Sequence, residues 1–289
     1  MLKGIFTALL TPFDRNDKIN EKALEKLIQY NLAMGVTGFY VCGSTGEAFL
    51  LSTEERKQVM ELVKACAPHA ALIAHVGSIS ETEAESLAAY AQELHYDAIS
   101  SVAPFYYHFS FEEIKNYYYR IAESTELPML VYHFPICSGV SMGIDEMSQF
   151  LENDRFMGIK FTSNDFFTLE QCKARFPDKV VYNDFDEMFL SGLAMGADGG
   201  IGSTYNFMAD KFVAMQRLFS ENRIQEAQKL QKEANHIITL LCQIGVMQAE
   251  KEVLNQLGFE FGECRRPFAP PTEEQKKLIA AEILPLIRK

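Results

Sequence analysis

Several features that mark common classes of protein are missing from this sequence. No apolar run is long enough to span a bilayer, and the short run at residues 4–10 lacks the basic leader and the cleavage site of a signal peptide. The six cysteines form no CxxC pair, and no histidines stand at metal-ligand spacing. These absences argue against a membrane protein, a secreted protein and a zinc site, and they indicate free thiols in a cytoplasmic protein.

Positive charge is also scarce. The 27 Lys and Arg residues face 39 Asp and Glu residues, which gives a formal net charge of -12. Nucleic acids and anionic membranes bind through clustered basic residues, so neither is an expected partner. A small-molecule substrate fits better, and an anionic one would need local donors such as backbone N–H groups.

The alternation of short β-rich and amphipathic helical segments predicts the fold. This pattern is typical of a parallel sheet with crossover helices, and the chain of 289 residues is long enough for one large domain. We predict that about eight strands close into a TIM (β/α)8 barrel. The segments are residues 4–13, 36–45, 71–78, 98–107, 128–135, 156–163, 180–187 and 199–204. A doubly wound open sheet is the alternative, but no GxGxxG loop follows the first strand.

Helix starts and the end of the strand signals define the rest of the architecture. Ser52, Ser80 and Ser110 each precede acidic residues, as expected of helix N-caps. Beyond residue 206 only helical periodicity remains. We therefore assign residues 1–206 to the barrel strands and most barrel helices, and residues 207–289 to the last barrel helix and a C-terminal helical extension, packed as one domain. The extension has no evident chemistry and is expected to pack on the barrel or on a neighbouring subunit.

One lysine interrupts an otherwise apolar strand. Lys160 lies in the segment FMGIKFTS at residues 156–163, which is typical of a short buried strand. A buried lysine either pairs with a carboxylate or extends its amine to solvent. The alternative is a desolvated amine whose pKa falls toward neutrality, so that it can attack a carbonyl. The surrounding motifs decide between the two.

Polar residues follow several predicted strands, at the barrel end where TIM-barrel active sites lie. The GSTGE turn at residues 43–47 could hold a carboxylate through backbone N–H groups and the hydroxyls of Ser44 and Thr45, although such turns are often only turns. Tyr132, on the strand before that of Lys160, is either packing or a proton shuttle. His133 should face the opposite side of its strand.

Asp186 and Glu187 form a carboxylate pair after the seventh predicted strand. Without nearby histidines they do not resemble a metal site, and consecutive residues project apart, unlike a glycosidase pair. They either bind a polyol or begin a helix, where acidic residues are favoured.

Together these residues resemble the class I aldolase family that contains dihydrodipicolinate synthase and N-acetylneuraminate lyase. The resemblance covers nearly the whole chain, through GSTGE at 43–47, the Tyr132 strand, GIK at 158–160 and GADGGIGSTYN at 196–206. The lyase branch is the more similar. Synthases typically carry an arginine five residues after the tyrosine, where this chain has Cys137. One departure from the lyase pattern is Asp184, which stands where that pattern has a glycine.

The resemblance implies reversible cleavage of N-acetylneuraminate to N-acetylmannosamine and pyruvate. Lys160 would form a Schiff base, Tyr132 would relay the proton, and Ser44 and Thr45 would hold the carboxylate. The further substrate contacts that it implies are Thr162, Asp184, Asp186, Glu187 and Ser203. No metal or organic cofactor is expected.

The resemblance also implies a homotetramer, in which Tyr107, or else Tyr106, reaches the site of a neighbouring subunit. Two rival functions remain open. One is another pyruvate-dependent aldolase of the same superfamily, dihydrodipicolinate synthase included although Cys137 disfavours it. The other is a barrel that binds keto acids without turning them over, which would not need the amine and the phenol together.

Overall fold

A computed structural model describes residues 2–287, and its centre is a closed barrel of eight parallel strands. Each strand pairs with the next one in the chain, and β1 also pairs with β8. The strands are β1 (Gly4–Ala8), β2 (Gly38–Val41), β3 (Ala71–His75), β4 (Ala98–Val102), β5 (Met129–His133), β6 (Phe156–Phe161), β7 (Val180–Asn183) and β8 (Gly199–Gly202). The predicted TIM barrel is confirmed.

Each predicted segment contains one strand, but most strands end earlier than predicted. The segment 98–107 is a strand only to Val102, and the segment 180–187 only to Asn183. The polar residues that follow therefore lie in loops beyond the carboxyl ends of the strands. In a TIM barrel these loops build the active site.

Helices surround the barrel, and further helices follow its last strand along the chain. They are α1 (Glu21–Ala33), α2 (Thr53–Cys66), α3 (Glu81–Glu93), α4 (Phe111–Glu123), α5 (Pro135–Ser138), α6 (Ile144–Leu151), α7 (Phe166–Arg175), α8 (Phe189–Ala194), α9 (Tyr205–Ser220), α10 (Ile224–Ile244), α11 (Val246–Gln256), α12 (Glu273–Leu278) and α13 (Leu284–Ile287). Two 3-10 turns, Ala48–Leu50 and Asp186–Met188, and a π-helical turn, Ile279–Ile283, complete the set.

The predicted helix starts are confirmed. Ser52 and Ser110 form capping boxes, in which the serine side chain accepts from the third helical N–H and the glutamate there returns to the cap. Ser80 caps α3 by accepting from Glu83. Among residues 2–287, no helix combines the length and the apolar character needed to cross a bilayer.

The hydrophobic core has two layers. The outer layer fills the space between strands and helices. The inner layer fills the barrel and consists of Phe6, Ala8, Tyr40, Ile73, Ala98, Val102, Leu130, Tyr132, Val180, Tyr182 and Ile201. His133 instead contacts Phe161, a member of the outer layer, so strand alternation places it on the opposite side from Tyr132 as predicted.

Helices α10 and α11 lie against the loops at the carboxyl end of the barrel. From α10, Gln231 donates to the backbone oxygen of Asp186 at 2.9 Å and Asn235 donates to that of Glu187 at 3.0 Å. From α11, Lys251 forms an ion pair with Glu47 at 2.5 Å. These contacts bring the C-terminal extension next to two of the predicted site motifs.

Candidate active site

A cavity of about 290 Å³ opens at the carboxyl ends of the strands. It is lined by every predicted catalytic and substrate-contacting residue except the proposed cross-subunit tyrosine: Ser44, Thr45, Tyr132, Lys160, Thr162, Asp184, Asp186, Glu187 and Ser203. Tyr107 and Tyr106, on the loop after β4, lie outside this lining and are 62% and 81% exposed. Residues from five separate loops and strands therefore converge on one pocket.

Lys160 lies at the centre of the pocket on β6, in register with Tyr132 of β5 and Tyr182 of β7. Its side chain is 3% exposed, and its Nζ lies 2.5 Å from Asp184 Oδ1 and 3.7 Å from the centre of the Tyr132 ring. Burial lowers the pKa of the amine, and the carboxylate of Asp184 opposes that shift. Both interpretations of the sequence thus hold in part, because the lysine has a carboxylate partner and also borders a cavity.

Asp184 contributes its side chain to the pocket. Its Oδ1 contacts the Lys160 amine and its Oδ2 accepts a hydrogen bond from the Thr162 hydroxyl. Its backbone N–H donates to the oxygen of Phe161 at 3.1 Å, which fixes the residue against β6. The residue that departs from the lyase pattern therefore touches the amine directly.

Tyr132 presents its phenol to the same cavity and is 3% exposed. Burial raises its pKa well above the ordinary value, and Asp184 and Tyr40 add to that rise. The hydroxyls of Ser44 and Thr162 lower the pKa in part. Without substrate the phenol is therefore protonated and can donate a hydrogen bond into the pocket.

Two N–H groups of the GSTGE turn are already hydrogen-bonded within the turn. The N–H groups of Gly46 and Glu47 donate to Gly43 and Ser44 within the turn. The groups of this turn that remain to bind a carboxylate are therefore those of Ser44 and Thr45, both of which line the cavity. Glu47 points away into the ion pair with Lys251 and has a left-handed backbone, with φ of 58°.

Asp186 and Glu187 have different environments. Asp186 is buried and accepts from the N–H and hydroxyl of Thr204 at 2.9 and 2.6 Å. Burial outweighs these bonds and raises its pKa to about 7. A Cβ on Gly202 would lie 1.8 Å from Asp186 Oδ1, so any larger residue there would displace the Asp186 carboxyl. Glu187 also lines the cavity but is exposed, so one carboxyl of the pair is buried and the other is at the rim.

Ser203 donates to a carboxyl group that the sequence analysis missed. Its Oγ lies 2.6 Å from Oε1 of Glu250 on α11. Glu250 is fully buried, and burial raises its pKa to about 8, with Asp186 acting in the same direction. A signal was available in the sequence, because Glu250 lies among the buried positions Ala249, Val253 and Leu254 of a helix.

The C-terminal helices also form one wall of the cavity, which the sequence analysis did not anticipate. Ile238 and Cys242 come from α10, and Val246 and Met247 come from α11. The remaining lining residues are Ala8, Tyr40, Phe134, Phe185 and Thr204. The extension therefore shapes the pocket instead of only packing behind it.

The Lys160 cavity is not the largest opening in the protein. A larger surface cleft of about 1330 Å³ lies between residues 13–20 and 260–266, but its Arg265 is already paired with Asp17 and Glu55. Within residues 2–287, no group of three or more His, Cys, Asp or Glu side chains is arranged to hold a metal ion. The smaller cavity around Lys160 is the candidate active site.

The protein is a TIM barrel that brings a buried amine, a phenol and a hydroxyl-bearing turn into one pocket. This combination is typical of carbon–carbon lyases with this fold. The chain belongs to the dihydrodipicolinate synthetase family, whose model matches residues 1–284.

Individual relatives are similar over almost their whole length. The chain is 43% identical to an N-acetylneuraminate lyase of Escherichia coli (strain K12 / DH10B), covering 98% of this chain and 97% of the relative. A structure of CdNal from Clostridium difficile in complex with mannosamine has a TM-score of 0.95 at 40% identity, covering 100% and 99% of the two chains. The N-acetylneuraminate lyase of Fusobacterium nucleatum has a TM-score of 0.92 at 41% identity, covering 96% of each chain.

Proposed function

We propose that this protein is a Schiff-base lyase that reversibly cleaves N-acetylneuraminate to N-acetylmannosamine and pyruvate. The observation that carries the proposal is the Lys160 amine, buried beside the Tyr132 phenol in a cavity that also contains Ser44 and Thr45. The names of relatives at 43% and 41% identity support the choice of substrate.

The reaction begins at the carboxylate and the adjacent carbonyl group of a 2-keto acid. Ser44 and Thr45 bind the carboxylate of the open-chain substrate, and the neutral amine of Lys160 attacks C2. The carbonyl oxygen leaves as water, and a protonated imine forms. Tyr132 then relays the proton of the C4 hydroxyl: its phenol passes its own proton to the substrate carboxylate and takes the C4 proton as the C3–C4 bond breaks. The protonated imine takes up the electron pair and leaves a pyruvate enamine. N-acetylmannosamine departs, and protonation and hydrolysis release pyruvate.

We assign the hydroxyl groups of the sugar to the other polar side chains of the cavity. Thr162, Asp186, Glu187 and Ser203 line the cavity and supply oxygen acceptors and hydroxyls. Glu187 is exposed at the rim and is free to accept from the terminal hydroxyls. Loss of these side chains should reduce sugar selectivity more than imine formation.

A second candidate is a pyruvate-dependent aldolase for a different 2-keto sugar acid. The observation that favours it is Asp184, whose carboxylate occupies space beside the reacting amine. The dihydrodipicolinate synthase variant is less favoured, because Cys137 on α5 cannot replace an arginine in binding a second carboxylate.

We further propose a cytoplasmic homotetramer in which Tyr107, or else Tyr106, completes the site of a neighbouring subunit. Both aromatic rings are exposed on the loop after β4, where contact with another subunit would bury them. Native mass spectrometry would give the number of subunits. A monomer at working concentration would exclude this assembly.

Two measurements made together test the proposed function. Borohydride reduction in the presence of pyruvate, followed by peptide mass spectrometry, should place a pyruvate-sized adduct on Lys160. A parallel assay should detect pyruvate release from N-acetylneuraminate. An adduct without release would favour the second candidate and other keto acids, and no adduct would exclude the aldolase function.

A further inference from the structure

We propose that Asp184 is a catalytic residue that takes a proton from the Lys160 ammonium, returns it to the departing hydroxyl during imine formation, and then faces the iminium as its counterion. This inference rests on the proposed Schiff-base function. It goes beyond a substrate contact, because the carboxylate lies 2.5 Å from the amine that forms the covalent bond.

Among the described residues of the pocket, Asp184 is the one placed to exchange a proton with the Lys160 amine. Its carboxylate contacts Lys160 Nζ through one oxygen and Thr162 Oγ1 through the other. Asp186, the other buried carboxyl of the pocket, has its Oδ2 bound by the backbone and side chain of Thr204. The Tyr132 phenol is held protonated by burial, so it is a poor base toward an ammonium.

The position of Asp184 is fixed by its surroundings. Its N–H bonds to Phe161 of β6, and its side chain is 12% exposed at the cavity wall. The carboxylate is therefore held beside the Lys160 amine, and both groups line the cavity. A general acid or base needs this hydrogen-bond contact with the reacting group.

The proton balance of imine formation needs such a group. The ammonium has no lone pair, so one proton must first leave Lys160 before its nitrogen attacks the carbonyl carbon. The carbinolamine then loses its hydroxyl as water, which requires a proton on that oxygen. Asp184 accepts the first proton and donates the second. Overall, one ammonium and one ketone give one iminium and one water, and the carboxylate is regenerated.

The charges around the pair favour this role. The titratable groups that face the Asp184 carboxylate are Lys160 on β6, Tyr132 on β5, Tyr40 on β2, Tyr205 on α9 and Asp186 in the turn after β7. Lys160 is the cation among them. A fixed carboxylate in this poorly solvated site stabilises the positive nitrogen before and after the imine forms.

The test is the rate at which pyruvate forms the imine, measured by rapid mixing and quenching with borohydride. Asp184→Asn and Asp184→Gly should slow formation of the Lys160 adduct by about 10²-fold or more, the usual size of general acid–base catalysis. The matched control is Asp198→Asn, which removes the partner of Lys173 at 2.8 Å before β8, outside the pocket lining. The control should form the adduct at the wild-type rate.

Chemical rescue separates catalysis from a structural role. Formate should restore adduct formation at least tenfold in Asp184→Gly, which leaves room for a small acid, but not in Asp184→Asn. If the carboxylate only kept the amine protonated, its removal would speed imine formation. Rates in both variants equal to or above the wild-type rate would therefore overturn the inference, as would a slow Asp184→Gly variant that formate does not rescue.

The same experiment distinguishes failure of the inference from failure of the proposed function. If the wild-type protein forms no Lys160 adduct with pyruvate, the Schiff-base function falls and this inference falls with it. If the wild-type protein and both variants form the adduct at the same rate, the Schiff-base function stands and only the role of Asp184 is overturned.

Discussion

Two lysines of this protein have nearly the same immediate surroundings, but they differ in whether a substrate can reach the amine. Lys160 and Lys251 are both buried, and each has a carboxylate oxygen at 2.5 Å, from Asp184 and Glu47 respectively. Each amine also lies over an aromatic ring, at 3.7 Å for Tyr132 and 4.2 Å for Phe13. Burial lowers the pKa of both.

The two lysines differ in what lies beyond the groups that contact their amines. Lys160 borders a cavity with hydroxyls on its walls, whereas Lys251 also donates to the backbone oxygen of Glu263 and does not line that cavity. A reactive lysine therefore cannot be recognised from burial or from a lowered pKa alone. It needs an open volume where a carbonyl can approach its nitrogen.

The largest effect is expected from Lys160→Met. We expect activity to fall by about 10⁴-fold or more, since the nucleophile is lost. Assays of pyruvate release and of the borohydride adduct would measure this fall. The free energy of unfolding should change less than for Lys251→Met, because Asp184 borders the cavity, where water can solvate it. An active Lys160→Met variant would contradict the comparison.

Tyr132→Phe makes the surroundings of Lys160 more like those of Lys251, with a ring but no hydroxyl. We expect kcat for N-acetylneuraminate cleavage to fall by about 10²–10⁴-fold, the range for loss of a general acid or base. The borohydride adduct with pyruvate should still form, because the amine remains. Wild-type kcat in this variant would remove Tyr132 from the proton relay.

Lys251→Met tests the structural half of the comparison. Removing one partner of a buried ion pair leaves an uncompensated charge and should lower the free energy of unfolding by about 3–5 kcal/mol. Urea unfolding would measure the loss. The double variant Lys251→Met with Glu47→Gln should recover part of it, because no lone charge remains buried. Folded Lys251→Met should still form the Lys160 adduct, and its failure to do so would link this lysine to the chemistry.

Glu250 contrasts with Glu47, because its carboxyl has a serine in place of a cation as its partner. The folded protein holds the Glu250 proton up to a pKa of about 8, whereas the unfolded chain releases it near 4.5. The protonated form therefore favours folding, and this contribution is lost as pH rises from about 5 to 8, by up to about 1.4 kcal/mol per pH unit.

Glu250→Gln removes that titration. Urea unfolding at several pH values should show a shallower loss of stability above pH 5 in the variant than in the wild-type protein. Asp186, whose pKa is raised to about 7, titrates in the same window and accounts for part of the remaining slope. Equal slopes in the two proteins would mean that Glu250 is not protonated in the folded state at neutral pH.

The parts of the molecule governed by local patterns were predictable from the sequence. Strand segments, the Ser52 cap and the convergence of Lys160 and Tyr132 follow from periodicity, local hydrogen bonding and barrel topology. The ends of β1 and β4 were overextended, because residues 9–13 and 103–107 are mostly apolar or aromatic, like the strands that they follow.

Contacts between distant segments could not be predicted in the same way. The partner of a helix face depends on where the helix docks, so neither the Glu250–Ser203 bond nor the wall from α10 and α11 followed from sequence spacing. Asp184 was recognisable as a departure from a pattern, but not as a contact of Lys160, because its side-chain direction depends on the loop after β7.

The partners of the buried Glu47 side chain determine when its loop can reach its final conformation during synthesis. The loop that carries it follows β2, yet its partners are Lys251 and the N–H of Arg265, which is 218 residues further along the chain. At about 5–20 residues per second, a ribosome needs roughly 10–40 s to supply them. Until then Glu47 lacks its cation, so this loop reaches its final form only late in synthesis, after every strand of the barrel has been made.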